Sequence, residues 1–195
     1  MNEFAQSLER LLANVASSAV VRKIERGNSP TAAWEALEGS GFPDAMMPEA
    51  KGGAGLVLAE AFDLFTLDGK YAVPVPLAHT IAARALLAEH GVGVPRGTIA
   101  IVSTALREDG GVVCRNAPYG MVADWVIAPT AQGALLLPMT AAKRESTGVY
   151  ASLRGDLYWE SADERVAFVP CHAAKDLGAI VTAAQIVGAL ERTLE

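Results

Sequence analysis

The sequence predicts an α+β protein: an all-α helical domain over residues 1–95, an antiparallel β-barrel or sandwich over 96–172, and a return to helix over 173–195. Three observations carry that reading. Apolar residues recur at three- and four-residue steps through the first half. After Pro95, short apolar runs are punctuated by Gly, Pro, Asn and Asp roughly every ten residues, the spacing of an all-β unit. Near the end, residues 179–190 are apolar on almost every side.

The elements follow in order. Phe4, Leu8, Leu11, Leu12, Val15 and Ala19 form an amphipathic stripe that Gly27-Asn28 stops. Ser29-Pro30 opens the next helix, Ser as N-cap and Pro at the first position. Ala33, Trp34 and Leu37 make its inner face, and Gly39-Ser40-Gly41 ends it. A glycine-rich loop spans 47–55. A third helix is predicted over 56–67, broken by Asp68-Gly69, and Pro74-Val75-Pro76 is a stiff extended link. A fourth helix covers 77–89 and stops at Gly91. Strands are predicted at 99–105, 112–115, 124–128, 134–137, 149–153, 157–160 and 166–169. Asp176 is the expected cap of the last helix, in which only Thr182 and Gln185 are polar between 179 and 190. Such a helix needs cover on several sides, so residues 176–195 are expected to pair with a second copy, or else to fold back over their own helical domain.

Composition bounds the function. Hydrophobic residues are 51% and charged residues 19% of the 195, enough for a substantial core. The net charge of −6 and the lack of a basic block argue against a nucleic-acid partner. No uninterrupted apolar run has the length of a membrane span, and Met1-Asn2-Glu3-Phe4 does not open a signal peptide. Cys114 and Cys171 lie far apart with no CxxC, as in a cytoplasmic protein with reduced thiols. His79, His90 and His172 are scattered, so no metal set is predicted. No serine stands in a nucleophile-elbow motif and no phosphate-cradling glycine loop is present.

Trp34-Glu35-Ala36-Leu37, then Gly41-Phe42, then Pro48-Glu49-Ala50-Lys51-Gly52-Gly53-Ala54-Gly55 resembles the N-terminal domain of acyl-CoA dehydrogenases. Pro74-Val75-Pro76-Leu77 with Thr80 and Ala83 looks like that family's next segment. Val187-Gly188-Ala189 and Arg192 are similar to the first helix of its C-terminal domain, so the chain is expected to stop as that helical bundle begins. The resemblance implies FAD between the β domain and the C-terminal helices, with an acyl-CoA thioester between the helical domains. It also implies flavin-dependent α,β-dehydrogenation, in fatty-acid or steroid side-chain breakdown, by a homo- or hetero-oligomer of related subunits.

The expected site residues follow from the same likeness. Pro48, Glu49, Gly52, Gly53 and Gly55 are candidates on the substrate side, the glycines because they let backbone approach a flat ligand. Ser103, Thr104, Tyr119 and Gly120 are candidates on the flavin side. The family's Thr-Glu-Pro turn is replaced here by Ser103-Thr104-Ala105, and its Lys-x-Trp strand by Asn116-Ala117-Pro118-Tyr119. No catalytic residue is assigned. The family's base lies late in the C-terminal domain or at the start of its first helix, and Lys175-Asp176-Leu177-Gly178 has no Glu at that step. The chain alone is therefore expected to be inactive and to hold no FAD by itself. Its alternatives are a non-catalytic partner subunit, or a flavin-free acyl-thioester or protein-binding module.

Overall fold

A computed structural model describes residues 3–108, 110–161 and 170–194. The N-terminal stripe forms two helices, α1 (Glu3–Val15) and α2 (Ser18–Glu25), because Ser17 takes an extended ψ of 151° between them. α1 buries Ala5, Leu8 and Leu12. In α3 (Thr31–Gly39), Ser29 Oγ accepts the Thr31 N–H at 3.2 Å, so the cap works as expected with the helix starting one residue later. α4 (Leu58–Lys70) is opened by Glu60, whose Oε2 accepts the Val57 N–H at 3.0 Å. α5 (Leu77–Glu89) ends before Gly91, whose φ is +69°. Arg84 of α5, 3% exposed, ties these pieces together through Glu38 and Asp44 at 2.8 Å each and the Gly97 carbonyl at 3.1 Å.

Asp68-Gly69 does not break α4, contrary to expectation. α4 ends one residue later, at Lys70, and the glycine serves the last helix, α6 (Cys171–Leu194), whose backbone lies directly on α4 there. A β-carbon on Gly69 would stand 2.5 Å from Gln185 Cα; one on Gly188 would stand 2.7 Å from the Lys70 nitrogen and overlap the Thr66 carbonyl oxygen. The two helices cross backbone to backbone, and only glycine permits it.

α6 starts at Cys171, so Asp176 is an exposed residue of its second turn and not its cap. Its inner face buries Ala174, Val181, Ala184 and Gly188 against the chain's own helical region. Ile186, Val187, Leu190 and Leu194 remain exposed on the outer side. By length and composition alone α6 is also long and apolar enough to cross a membrane.

Among the described residues, seven strands follow α5: β1 (Ile99–Ile101), β2 (Leu106–Glu108), β3 (Gly111–Ala117), β4 (Trp125–Thr130), β5 (Gly133–Pro138), β6 (Lys143–Ser146) and β7 (Gly155–Trp159). They form two sheets, ordered β1-β4-β5 and β2-β3-β7-β6. A small core of Val112, Cys114, Val126, Leu137, Leu157 and Trp159 fills the space between them. The pairing is antiparallel as expected except for β1 with β4, which is parallel. The expected strand at 149–153 is a loop, turned by Gly148 (φ +78°) and Ala151 (φ +60°). β6 was not expected: Lys-Arg-Glu-Ser is a polar, largely exposed edge strand with no apolar alternation to reveal it. The expected strand at 166–169 lies outside the described residues.

Candidate functional site

Two polar side chains of α5 join the helical region to β1. The Ile99 N–H donates to Thr80 Oγ1 at 2.9 Å, and the Ile101 N–H donates to His79 Nδ1 at 3.2 Å. The end of β1, the turn after β3 and the first half of α6 then enclose a cleft of about 770 Å³. Ile101, Val102, Ala179 and Ala183 give it apolar walls. Arg154 and Lys175 supply its charge, and among the described residues that line it there is no carboxylate. Arg154 is fixed by Asn116, donating to its Oδ1 at 2.7 Å and its carbonyl at 2.8 Å.

At the base of the cleft four polar groups meet, Asp68 and His79 buried and Tyr119 and Gln185 half-buried. Gln185 of α6 donates through Nε2 to Asp68 Oδ2 at 2.6 Å and to Tyr119 Oη at 3.2 Å. Asp68 Oδ1 accepts the Ala78 N–H at 3.3 Å. The Tyr119 ring meets the His79 ring edge to face, 5.5 Å between centroids. Because His79 Nδ1 accepts a hydrogen bond, the neutral ring carries its proton on Nε2.

Burial controls the charges here. Asp68, 1% exposed, has only neutral donors as partners, and burial raises its pKa from 3.8 to about 7 against the pull of those hydrogen bonds. Burial lowers His79 to about 4 and holds the Tyr119 phenol well above its ordinary value. The cluster is neutral through mildly acidic pH.

The structure separates the nine expected site residues. Ser103 and Tyr119 line the cleft. Thr104 is exposed beside it without lining it, and Gly120 is buried, an added β-carbon coming 3.1 Å from Gly155 N. Tyr119 turns its hydroxyl to Gln185 Nε2 at the base of the cleft. The glycine loop lies elsewhere. Gly52 and Gly53 line a different groove, of about 480 Å³, with Phe4, Ser7 and Phe42; Pro48, Glu49 and Gly55 do not line it. The loop has internal reasons for its glycines. Gly52 has φ +87°, and a β-carbon on Gly53 would stand 2.5 Å from the Asp44 carbonyl oxygen. Lys51 Nζ secures the loop to the Ala88 carbonyl at the end of α5, at 2.5 Å.

Asp68, His79 and Gln185 are the residues that sequence reasoning missed. Gln185 is one of two polar residues in an otherwise apolar stretch, which is a signal; Asp68 and His79 stand among other polar residues of their helices, so the sequence does not set them apart. Among the described residues no group of His, Cys, Asp and Glu is arranged to hold a metal.

No protein-family model matches the sequence, and no curated protein sequence matches it significantly. Solved structures do match. A variant of the steroid ACAD Tcur3481-Tcur3483 superposes on 98% of this chain with TM-score 0.73 at 23% identity, over 64% of its own length. The ChsE4-ChsE5 complex from Mycobacterium tuberculosis matches all of this chain with TM-score 0.73 at 20% identity, over 65% of its own. Butyryl-CoA dehydrogenase from Megasphaera elsdenii matches all of it with TM-score 0.65 at 18% identity, over 67% of its own. The chain thus spans slightly less than two thirds of the first two structures. Helical region, paired sheets and the helix laid back on α4 together carry the fold of the acyl-CoA dehydrogenase N-terminal and middle domains.

Proposed function

We propose that this chain is a non-catalytic part of an acyl-CoA dehydrogenase-like assembly, which shapes a cleft and works with a related, flavin-bearing subunit. The observation that carries this reading is the cleft lining. α-Proton removal from a thioester needs a positioned carboxylate, an effect of roughly 10²–10⁴ in rate. Here the described lining offers none: α6 presents Gly178, packed on Ile101, and Asp68 is buried and held by Gln185. The expected flavin-side residues are likewise dispersed, so no step is routed through a flavin on this chain. Two of the matched structures are named as two-component proteins, which supports a partner role. The rival reading is a flavin-free module that binds an acyl thioester by itself.

Purification of the chain alone, and after co-expression with acyl-CoA dehydrogenase-like proteins encoded beside it, separates the two. We expect no flavin absorbance from the chain alone and a yellow complex when the right subunit is present. Stoichiometric FAD on the isolated chain, or enoyl-CoA formation by it, overturns the proposal. Saturable acyl-CoA binding with no complex under any pairing favours the rival.

A further inference from the structure

We propose that the cleft is a binding site for an organic monoanion, a carboxylate carried on an apolar body of about ten carbons, with Arg154 as its anchor. The first observation is how Arg154 is held. Its Nε and Nη2 donate to the side-chain and main-chain oxygens of Asn116, at 2.7 and 2.8 Å. Both acceptors are neutral, so the guanidinium is oriented without being discharged. Arg84, by contrast, is matched by Glu38 and Asp44, and Arg115 by Asp156. Asn116 is itself set in place: its backbone is left-handed at φ +50°, and its N–H donates to Asp156 Oδ1 at 2.7 Å. The two bonds to Asn116 occupy the side of the Arg154 fork. Its end, Nη1 with the second Nη2 proton, has no partner among the described residues. That end is the edge a carboxylate meets with two parallel hydrogen bonds.

The second observation is the rest of the lining. Lys175 of α6 adds a second cation, and like Arg154 it has no ion pair among the described residues. Asp68 does not line the cleft; it is buried, and its oxygens take the Gln185 Nε2 and Ala78 N–H donors. Two positive charges therefore share one cleft with no acid in its described lining. Beside them the walls are apolar, Ile101 and Val102 from the sheet side and Ala179, Ala183 and Ile186 from α6, around about 770 Å³. A small inorganic anion would leave those walls wet, and an uncharged apolar molecule would leave the Arg154 fork without an acceptor. One carboxylate on a compact apolar body satisfies both. An acyl thioester has a neutral carbonyl where this ligand has its charge, so the site differs from that of an acyl-thioester module. The inference concerns the isolated chain and does not rest on a flavin-bearing partner.

Calorimetric titration of the chain with naphthoate, its neutral isostere naphthamide, and acetate tests this. We expect saturable binding of naphthoate, binding of naphthamide about tenfold weaker, and no displacement of naphthoate by equimolar acetate. Raising the salt from about 50 to about 500 mM should weaken naphthoate and leave naphthamide unchanged. Arg154→Met should bind naphthoate about tenfold more weakly or worse, and Arg154→Lys, which keeps the charge but loses the fork, should recover only part of that. Arg10→Met, on α1 and outside the lining, is the control and should bind as wild type. Lys175→Met should lose about threefold, and it serves should Arg154→Met fail to fold. Absence of saturable naphthoate binding, equal binding of naphthoate and naphthamide, displacement by equimolar acetate, or wild-type affinity in both Arg154→Met and Lys175→Met would each overturn the site. Flavin content and complex formation are not read in this experiment, so its failure and that of the proposed role are distinguishable.

Discussion

Replacing Gly188 with alanine tests whether α6 is seated by direct backbone contact. The new β-carbon would lie 2.7 Å from the Lys70 nitrogen and overlap the Thr66 carbonyl oxygen, against about 3.5–4 Å for a relaxed contact. The obstacle is α4 backbone, so no side-chain rotation relieves it, and the helices must part by about 1 Å or more. Overpacking of this kind costs about 1–3 kcal/mol, at the upper end where backbone must move. Working against it, alanine gains about 1 kcal/mol of helix propensity over glycine. We expect a net loss of about 2 kcal/mol, read as a drop in the urea midpoint of about 1 M, with faster amide exchange over 171–194. Gly178→Ala is the control in the same helix. There the β-carbon meets a side chain and not backbone, Ile101 Cγ2 at 3.1 Å, so a shift of a few tenths of an ångström relieves it and the loss should be at most about 1 kcal/mol. Equal stability of Gly188→Ala and wild type, or equal damage from both substitutions, would refute the backbone-contact argument.

Three further outcomes are expected. Burial lifts Asp68 from 3.8 to about 7, so its contribution falls as pH climbs through that range; burial lowers His79 from 6.5 to about 4, so its contribution falls as pH drops through that one, and the two slopes oppose each other between about 4 and 6.5. His79→Asn keeps an acceptor for the Ile101 N–H but removes one slope, so its stability relative to wild type should decline by a few kcal/mol from pH 4 to 6.5, and parallel profiles would disprove this. Cys114 is fully buried with its thiol pushed up to about 12, so a maleimide should label the folded protein at Cys171 alone and both thiols only in urea. In the glycine loop, Gly53→Ala should cost more than Gly52→Ala, about 2 against 1 kcal/mol by urea titration, since Gly53 is crowded by backbone while Gly52 has open space and only its φ to satisfy; the reverse order would mean the loop is not self-packed.

Much of the architecture was readable because it depends on periodicity. The stripe from Phe4 to Val15 and the apolar runs at 125–130 and 133–138 announce their elements directly. What failed to read was decided between distant segments. Asp68-Gly69 reads locally as a helix end, which follows at Lys70, but that Asp68 pairs with Gln185 and Gly69 admits its backbone is decided more than a hundred residues later. β6 stands because β7 pairs with it and not because of its own composition. Tyr119 was read by its position in a motif; left-handed backbone at Asn116 (φ +50°) near the end of β3 and at Tyr119 itself (φ +53°) sets its phenol against Gln185, which position alone does not reveal.

That cluster does something an apolar one would not. Four well-packed hydrophobic side chains would hold α6 at least as firmly, since buried polar networks at best break even with packing. They would not hold it in one register. Gln185 reaches Asp68 and Tyr119 together only at one rotation and one height of α6. The Gly69 and Gly188 crossing fixes the same height by contact. One constraint is steric and the other is hydrogen-bonded, and they agree. Gly178, Ala179 and Thr182 are thereby set opposite Ser103 and Tyr119, and the cleft has a defined width before any ligand enters it.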